Sequence, residues 1–171
     1  ICETSAFERV TGFDIHRGCL ALVDRPPAQT WREALGIGTR VVVLEAVGDA
    51  NNVGAVFRNA AAFGASAVLL SPTCCDPLYR KAIRASMGLA LRVPFARLSP
   101  WPTALHELRA GGFTVAAASP REPACPLDRF SRQYAGRPLA LVFGLIQPLL
   151  HSSVQSRRNV GAPFAGGRHT I

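Results

Sequence analysis

The chain has no apolar run approaching the roughly 20 residues that a membrane-spanning helix needs, and its first ten residues lack the basic-then-apolar layout of a secretory signal. A soluble, cytoplasmic protein is therefore expected. Lysine and methionine are nearly absent, with Lys81 and Met87 the single examples of each. Because Ile1 is not a translational start, the chain reads as a fragment or a processed form. The five cysteines, Cys2, Cys19, Cys74, Cys75 and Cys125, are odd in number and lack Cys-x-x-Cys spacing, which argues against a zinc site or a redox pair. They read as reduced packing thiols. His16, His106, His151 and His169 are unclustered, and no metal is expected. No G-x-G-x-x-G follows a strand, since Gly36 and Gly38 precede the first one, so a nicotinamide-dependent dehydrogenase is disfavoured. After Asp128 there is no carboxylate at all, only six arginines.

What remains is strongly basic. The formal charge is +8, carried almost wholly by arginine, and such a surface attracts polyanions. Guanidinium groups suit phosphate forks and base stacking better than ammonium groups do, so nucleic acid is the natural partner. A coding bias toward arginine would give the same count. With 171 residues the chain holds one domain with a real core plus a remnant.

Residues 40–46, RVVVLEA, form the β-branched run of a buried parallel strand, and the loop at 48–52 opens a helix. Val53, Val56, Phe57, Ala60 and Gly64 fall on one face of that helix, with Asn52 placed as its N-cap. A strand over 67–71 follows, then a helix begun by Asp76 and Pro77 in cap-then-proline order. Next are a short strand over 91–94, a helix from about Pro102 to Gly111, a strand over 113–119, a loop over 119–126 and a final strand over 138–144. This alternation predicts an α/β domain with a mainly parallel sheet flanked by helices. Asp24 to Pro27 mark a linker, dividing residues 1–26 from a domain over 27–171. Trp31 and Trp101 sit beside turns and read as core anchors rather than base-stacking platforms.

In open α/β sheets, ligands sit beyond the carboxyl ends of the strands, which makes the loop at 48–52 a prime position for a site. Arg58 lies about 140° around the helix from Val53, off the apolar face, and its side chain leans back toward Asn52. An amide and a cation near exposed helix N–H groups suit a phosphate. The plain alternative is a cap and a solvated surface charge.

A resemblance adds to this reading. DANNVGAVFRNAAAFGASAVLLS, residues 49–71, resembles the first signature of SpoU-type RNA methyltransferases, with Asn52, Gly54 and Arg58 at matching positions. RASMGLALRVPF (84–95) is similar to that family's Ser-x-Gly…Pro segment, LALVFG (139–144) to the start of its second signature and APFAGG (162–167) to the start of its third. FDIHRGCLAL (13–22) resembles the end of the family's small N-terminal RNA-binding domain. The resemblance implies a SPOUT-type fold with a C-terminal deep trefoil knot and a homodimer whose active site spans both copies. It implies methyl transfer from S-adenosylmethionine to a ribose 2′-hydroxyl of tRNA or rRNA. By position, Arg58 would be catalytic with Asn52 orienting it, and Arg58 and Arg84 would contact RNA. Ser119, Gly144, Ala162, Pro163 and Phe164 would hold the cofactor, largely through backbone groups. A free guanidinium titrates above about 12 and is a poor base, so whether Arg58 takes the proton or stabilises an alkoxide stays open. Beyond Gly144 the match departs. The family continues Glu-Gly-x-Gly-Leu where this chain has Leu145 to Leu150, with Ile146 in place of the carboxylate, and Arg168 to Ile171 stand where a closing helix begins. A frameshifted or truncated member is thus expected, and a catalytically inactive RNA-binding or dimerisation module is the competing reading.

Overall fold

The computed structural model describes residues 23–118, 124–144 and 159–160, besides the helical Ala6 and Arg9. Strand β1 (Arg40–Glu45) occupies the centre, because valine and leucine on both of its faces can be satisfied only by burial on both sides. It pairs in parallel with β2 (Ala67–Leu70) on one side and β6 (Leu139–Gly144) on the other. Outside these lie β3 (Phe95–Arg97) and β4 (Thr114–Ala117), giving the all-parallel order β3-β2-β1-β6-β4. A second, two-stranded sheet pairs β5 (Ala124–Cys125) with β7 (Asn159–Val160), also in parallel.

Helices α1 (Trp31–Leu35), α2 (Ala50–Ala62), α4 (Ala104–Ala110) and α5 (Leu127–Gln133) pack on the main sheet, and α3 (Arg80–Ala85) packs on α2. Alternation along the strands decides which faces they cover. Val41 and Val43 point into a core with α1 and α4, where Leu105 and Leu108 are fully buried. Leu44 points the other way, onto Val53 and Phe57 of α2. Phe130 of α5 packs on Ala116 and Leu141, and Leu141 stands beside Val42 in register, so α5 shares the face of α2. Trp31 and Trp101 pack against the first core, as anchors. Among the described residues no helix is long and apolar enough to cross a membrane.

The expected α/β class and the strands at 40–46, 67–71, 113–119 and 138–144 agree with the structure to within two residues at each end. Other expectations are corrected. Asn52 is not the N-cap of α2. Asp49 is, with extended backbone and a carboxylate that accepts from the N–H groups of Asn51 (2.8 Å) and Asn52 (3.0 Å). A carboxylate there also complements the helix dipole, which an amide does not. Val56 is only half-buried and Gly64 is exposed past the helix end, so the buried face runs through Ala50, Val53, Gly54, Phe57 and Ala60. Asp76 does not start a helix at Pro77: it accepts from the Leu78 N–H, pairs with Arg25, and leaves α3 to begin at Arg80. Residues 91–94 are not a strand. Ser86 accepts from the Ala90 N–H and Gly88 turns left-handed (φ 82°), which winds Leu89–Leu91 into a 3₁₀ turn. Proline cannot donate to a ladder, so β3 starts just after Pro94. The loop expected over 119–126 contains β5, and the helices α1 and α5 were not expected. Residues 23–30 are exposed and without regular structure. The knot would need the chain beyond Gly144, which apart from the 159–160 pairing lies outside the described residues.

Helices α2 and α3 are held together at one glycine. A Cβ on Gly54 would stand 2.6 Å from the Ala82 carbonyl oxygen, 2.6 Å from the Ala85 Cβ and 2.9 Å from the Ser86 nitrogen. Two of those atoms are backbone, so the helices must part to admit it. Gly54→Ala gains up to about 1 kcal/mol of helix propensity but overpacks the contact at a cost of about 1–3 kcal/mol. Net destabilisation is expected in urea unfolding; a gain in stability would show that the helices separate freely.

Candidate active site and basic cleft

The carboxyl ends of β1 and β6 meet at Glu45 and Gly144, which are partners in the parallel register. Gly144 has φ 134°, and a Cβ there would lie 1.9 Å from the Glu45 carbonyl oxygen, so only glycine lets these strand ends approach. Glu45 closes the apolar run 41–44 and is 8% exposed. Its Oε2 is buried and has no hydrogen-bond partner among the described residues. A buried acceptor left unmet costs about 1–3 kcal/mol, so the orphaned oxygen calls for an explanation, and a ligand's donor is one. S-adenosylmethionine carries an ammonium, a sulfonium and hydroxyl donors, so an acceptor beside a glycine-tight strand end fits it.

The loop from β1 to α2 is tied down from the neighbouring strand. Ala46 adopts φ 51°, unusual for a residue with a Cβ, and its N–H donates to Ser71 Oγ at 3.0 Å. The Val47 N–H donates to Cys74 Sγ (3.4 Å), and the Cys75 N–H returns a bond to the Val47 carbonyl (2.9 Å). Arg97, leaving β3, donates from one Nη1 toward the carbonyls of Ser71, Pro72 and Cys74 at 3.4, 3.3 and 3.2 Å. The segment at 71–75 thereby fixes the entry to α2. Cys74, Cys75 and Cys125 are free thiols, and no metal-binding group of three His, Cys, Asp or Glu occurs among the described residues.

From that entry, Asn52 stands exposed in the first turn of α2, and Arg58 is exposed six residues further on, about 9 Å along the axis. Arg58 makes no hydrogen bond or ion pair among the described residues, and none joins it to Asn52. Arg84 is exposed on α3 and lines an open cleft of about 900 Å³ with Asn51, Tyr79, Arg80, Lys81 and Ala85. Of the expected cofactor residues only Gly144 is described; Ser119, Ala162, Pro163 and Phe164 lie outside the described residues. Sequence reasoning missed Glu45, although a lone carboxylate ending a β-branched run was a signal. It also missed the cleft, which arises only when α3 folds against α2.

A parallel sheet covered by helices, with a tight strand-end approach at its carboxyl edge, belongs to the α/β class that binds ligands beyond the ends of its strands. Comparison with known proteins narrows that class. The chain belongs to the SpoU rRNA Methylase family, whose sequence pattern matches residues 39–145. It is 41% identical over 140 residues to an uncharacterized tRNA/rRNA methyltransferase of Mycobacterium tuberculosis, covering 82% of this chain and 49% of that protein. It is 30% identical over 110 residues to the 23S rRNA (guanosine(2553)-2′-O)-methyltransferase of Bacillus subtilis, covering 64% of this chain and 42% of that one. An AdoMet-bound rRNA methyltransferase structure from Sinorhizobium meliloti superposes with a TM-score of 0.61 at 28% identity, covering 78% of this chain and 51% of that chain. The chain thus spans about half the length of the curated relatives it matches first.

The cap on α2 makes a pH test available. The Asn52 N–H above all, helped by the Asn51 N–H and the charge of Lys81 and opposed by desolvation, holds the Asp49 carboxyl below the usual carboxylate range. A carboxyl whose folded value is depressed adds stability above its unfolded value and loses it as pH falls through the folded one. Wild type should therefore melt above Asp49→Ala at neutral pH, and the charge-dependent part of that gap should close in acid, as pH falls below the usual carboxylate range. A gap of constant size across this range would show that the charge of Asp49 contributes nothing.

Proposed function

We propose that this chain is the catalytic domain of an RNA 2′-O-methyltransferase, moving the methyl group of S-adenosylmethionine to a ribose hydroxyl of tRNA or rRNA. The observation that carries the reading is the meeting of Glu45 and Gly144 at the carboxyl edge, where a buried acceptor lacks its donor. The family membership, the 2′-O specificity in the name of the Bacillus subtilis relative and the bound AdoMet in the Sinorhizobium meliloti structure support it. Bound there, the cofactor supplies an electrophilic methyl group on sulfur.

Each residue then has a task. Glu45 accepts a hydrogen bond from a donor of the cofactor, and Gly144 permits close backbone approach. By the family resemblance, Ser119, Ala162, Pro163 and Phe164 would supply further cofactor contacts. A ribose hydroxyl is a weak nucleophile that must shed its proton as it attacks, so its placement and the charge it develops both need help. Arg58, unpaired within the described part of the chain, meets that charge, and Asn52 orients the ribose or the guanidinium. Arg84 and its neighbouring cations draw in the RNA backbone. Arg58 lies about 12 Å along α2 from Ala50, which fits a site completed across a homodimer, in the cytoplasm where such RNAs are made. A second reading, a catalytically inactive RNA-binding or dimerisation module, is favoured by one observation, Ile146 at the family's carboxylate position.

Calorimetry with S-adenosylmethionine separates the two. Binding is expected, and silence at millimolar cofactor would leave only the inactive module. Glu45→Gln should weaken that binding about tenfold, the loss expected for one charge-assisted hydrogen bond. Arg58→Ala should reduce methyl transfer at least about a hundredfold, as loss of an oxyanion-stabilising group does, while sparing cofactor affinity. Unchanged turnover would refute its assigned role.

A further inference from the structure

The cleft between α2 and α3 has a composition that methyl transfer does not require. Arg80, Lys81 and Arg84 line it within five residues, no carboxylate is among its described lining residues although the charge of Asp49 reaches Lys81, and Tyr79, at its edge, is 56% exposed. Arg58 is not among its lining residues, so the cleft is separate from the group assigned to the reacting ribose. At about 900 Å³ it exceeds what one phosphate would fill and lies at the upper end of the size of small-molecule sites. Gly54 fixes its walls, since the contact there sets how closely α3 approaches α2.

Resting on the reading of RNA as the substrate, we propose that this cleft is a subsite for a single-stranded nucleotide flanking the methylated one. Its base stacks on Tyr79 and its phosphates lie against Arg80, Lys81 and Arg84. Two properties together select this ligand. Three cations in one described lining attract phosphate, which an acidic peptide would also satisfy. An exposed aromatic ring beside them offers a stacking plane, which a free phosphate or an acidic peptide cannot use and which a duplex cannot reach because its bases are stacked on one another. Asn51, on the α2 wall, supplies an amide that can read a base edge or a 2′-hydroxyl.

The test is fluorescence anisotropy of the full chain with a labelled single-stranded RNA of mixed sequence, a duplex of the same sequence and inorganic polyphosphate as competitor. Tyr79→Ala should weaken single-strand binding at least about fivefold, as loss of one base-stacking contact does, whereas Tyr79→Phe should bind like wild type. Lys81→Ala and Arg84→Ala should each lower the salt dependence of binding by about 0.7 in the log–log slope, the value for one phosphate on a single strand. Equal affinity of wild type and Tyr79→Ala, or equal affinity for single strand and duplex, would overturn the subsite. Melting curves confirm that each variant is folded; Tyr79 is exposed and contributes no side-chain bond to the start of α3. If methyl transfer persists while Tyr79→Ala binds normally, only the subsite fails. If RNA binding depends on Tyr79 but no cofactor binds, only the enzymatic reading fails.

Discussion

The parallel seating of β1 between β2 and β6 is the constraint on which everything else depends. Because both faces of β1 are buried, its register cannot slip by one residue without driving Val41 and Val43 into the α2 core and Leu44 into the α4 core. That register brings Glu45 level with Gly144 and aims the next loop at the start of α2. The position of Asn52 and, two turns on, of Arg58 is inherited from hydrophobic burial in a strand that touches neither of them.

The loop after β1 would be free to wander were it held only by its ends. Instead its backbone polar groups are bound by Ser71, Cys74 and Cys75, and those residues lie in a segment whose carbonyls converge on Arg97. Three strands therefore contribute to one loop: β1 leads into it, β2 leads to the segment that binds it, and β3 supplies the cation that closes that segment. Holding Ala46 at positive φ costs on the order of 1–3 kcal/mol, which this network offsets. Rigid support of this kind places exposed polar groups accurately.

The strands buried on both faces were legible in the sequence because a run such as VVVL admits no other partner than apolar side chains above and below. What was not legible was decided by competition between nearby polar groups. Asp49 and Asn52 are both good caps, and only the extended backbone at Asp49 shows which one binds the free N–H groups. Asp76 was read as a cap because proline followed it, yet its carboxylate is engaged by Leu78 and Arg25. Helix α5 was hidden because its single buried residue, Phe130, leaves almost no periodicity to detect. Asn52 and Arg58 were singled out by helix spacing and given roles only through resemblance, whereas Gly54 came from resemblance alone, and the structure supplies a packing reason for Gly54. The cleft and the orphaned oxygen of Glu45 are tertiary properties, invisible until α3 and β6 are in place.

The strand order also carries a consequence for how the molecule is made. Strand β6 fills the slot between β1 and β4, and Arg40 pairs with Leu139, roughly 100 residues later. During synthesis β1 and β2 can join early, but one edge of β1 stays bare until nearly the whole sheet-forming sequence has left the ribosome. Closing so long a loop is slow, and a bare apolar edge invites pairing with another nascent chain. A folding helper that shields that edge, or slower translation before β6, should therefore govern yield more strongly than any change to the finished core.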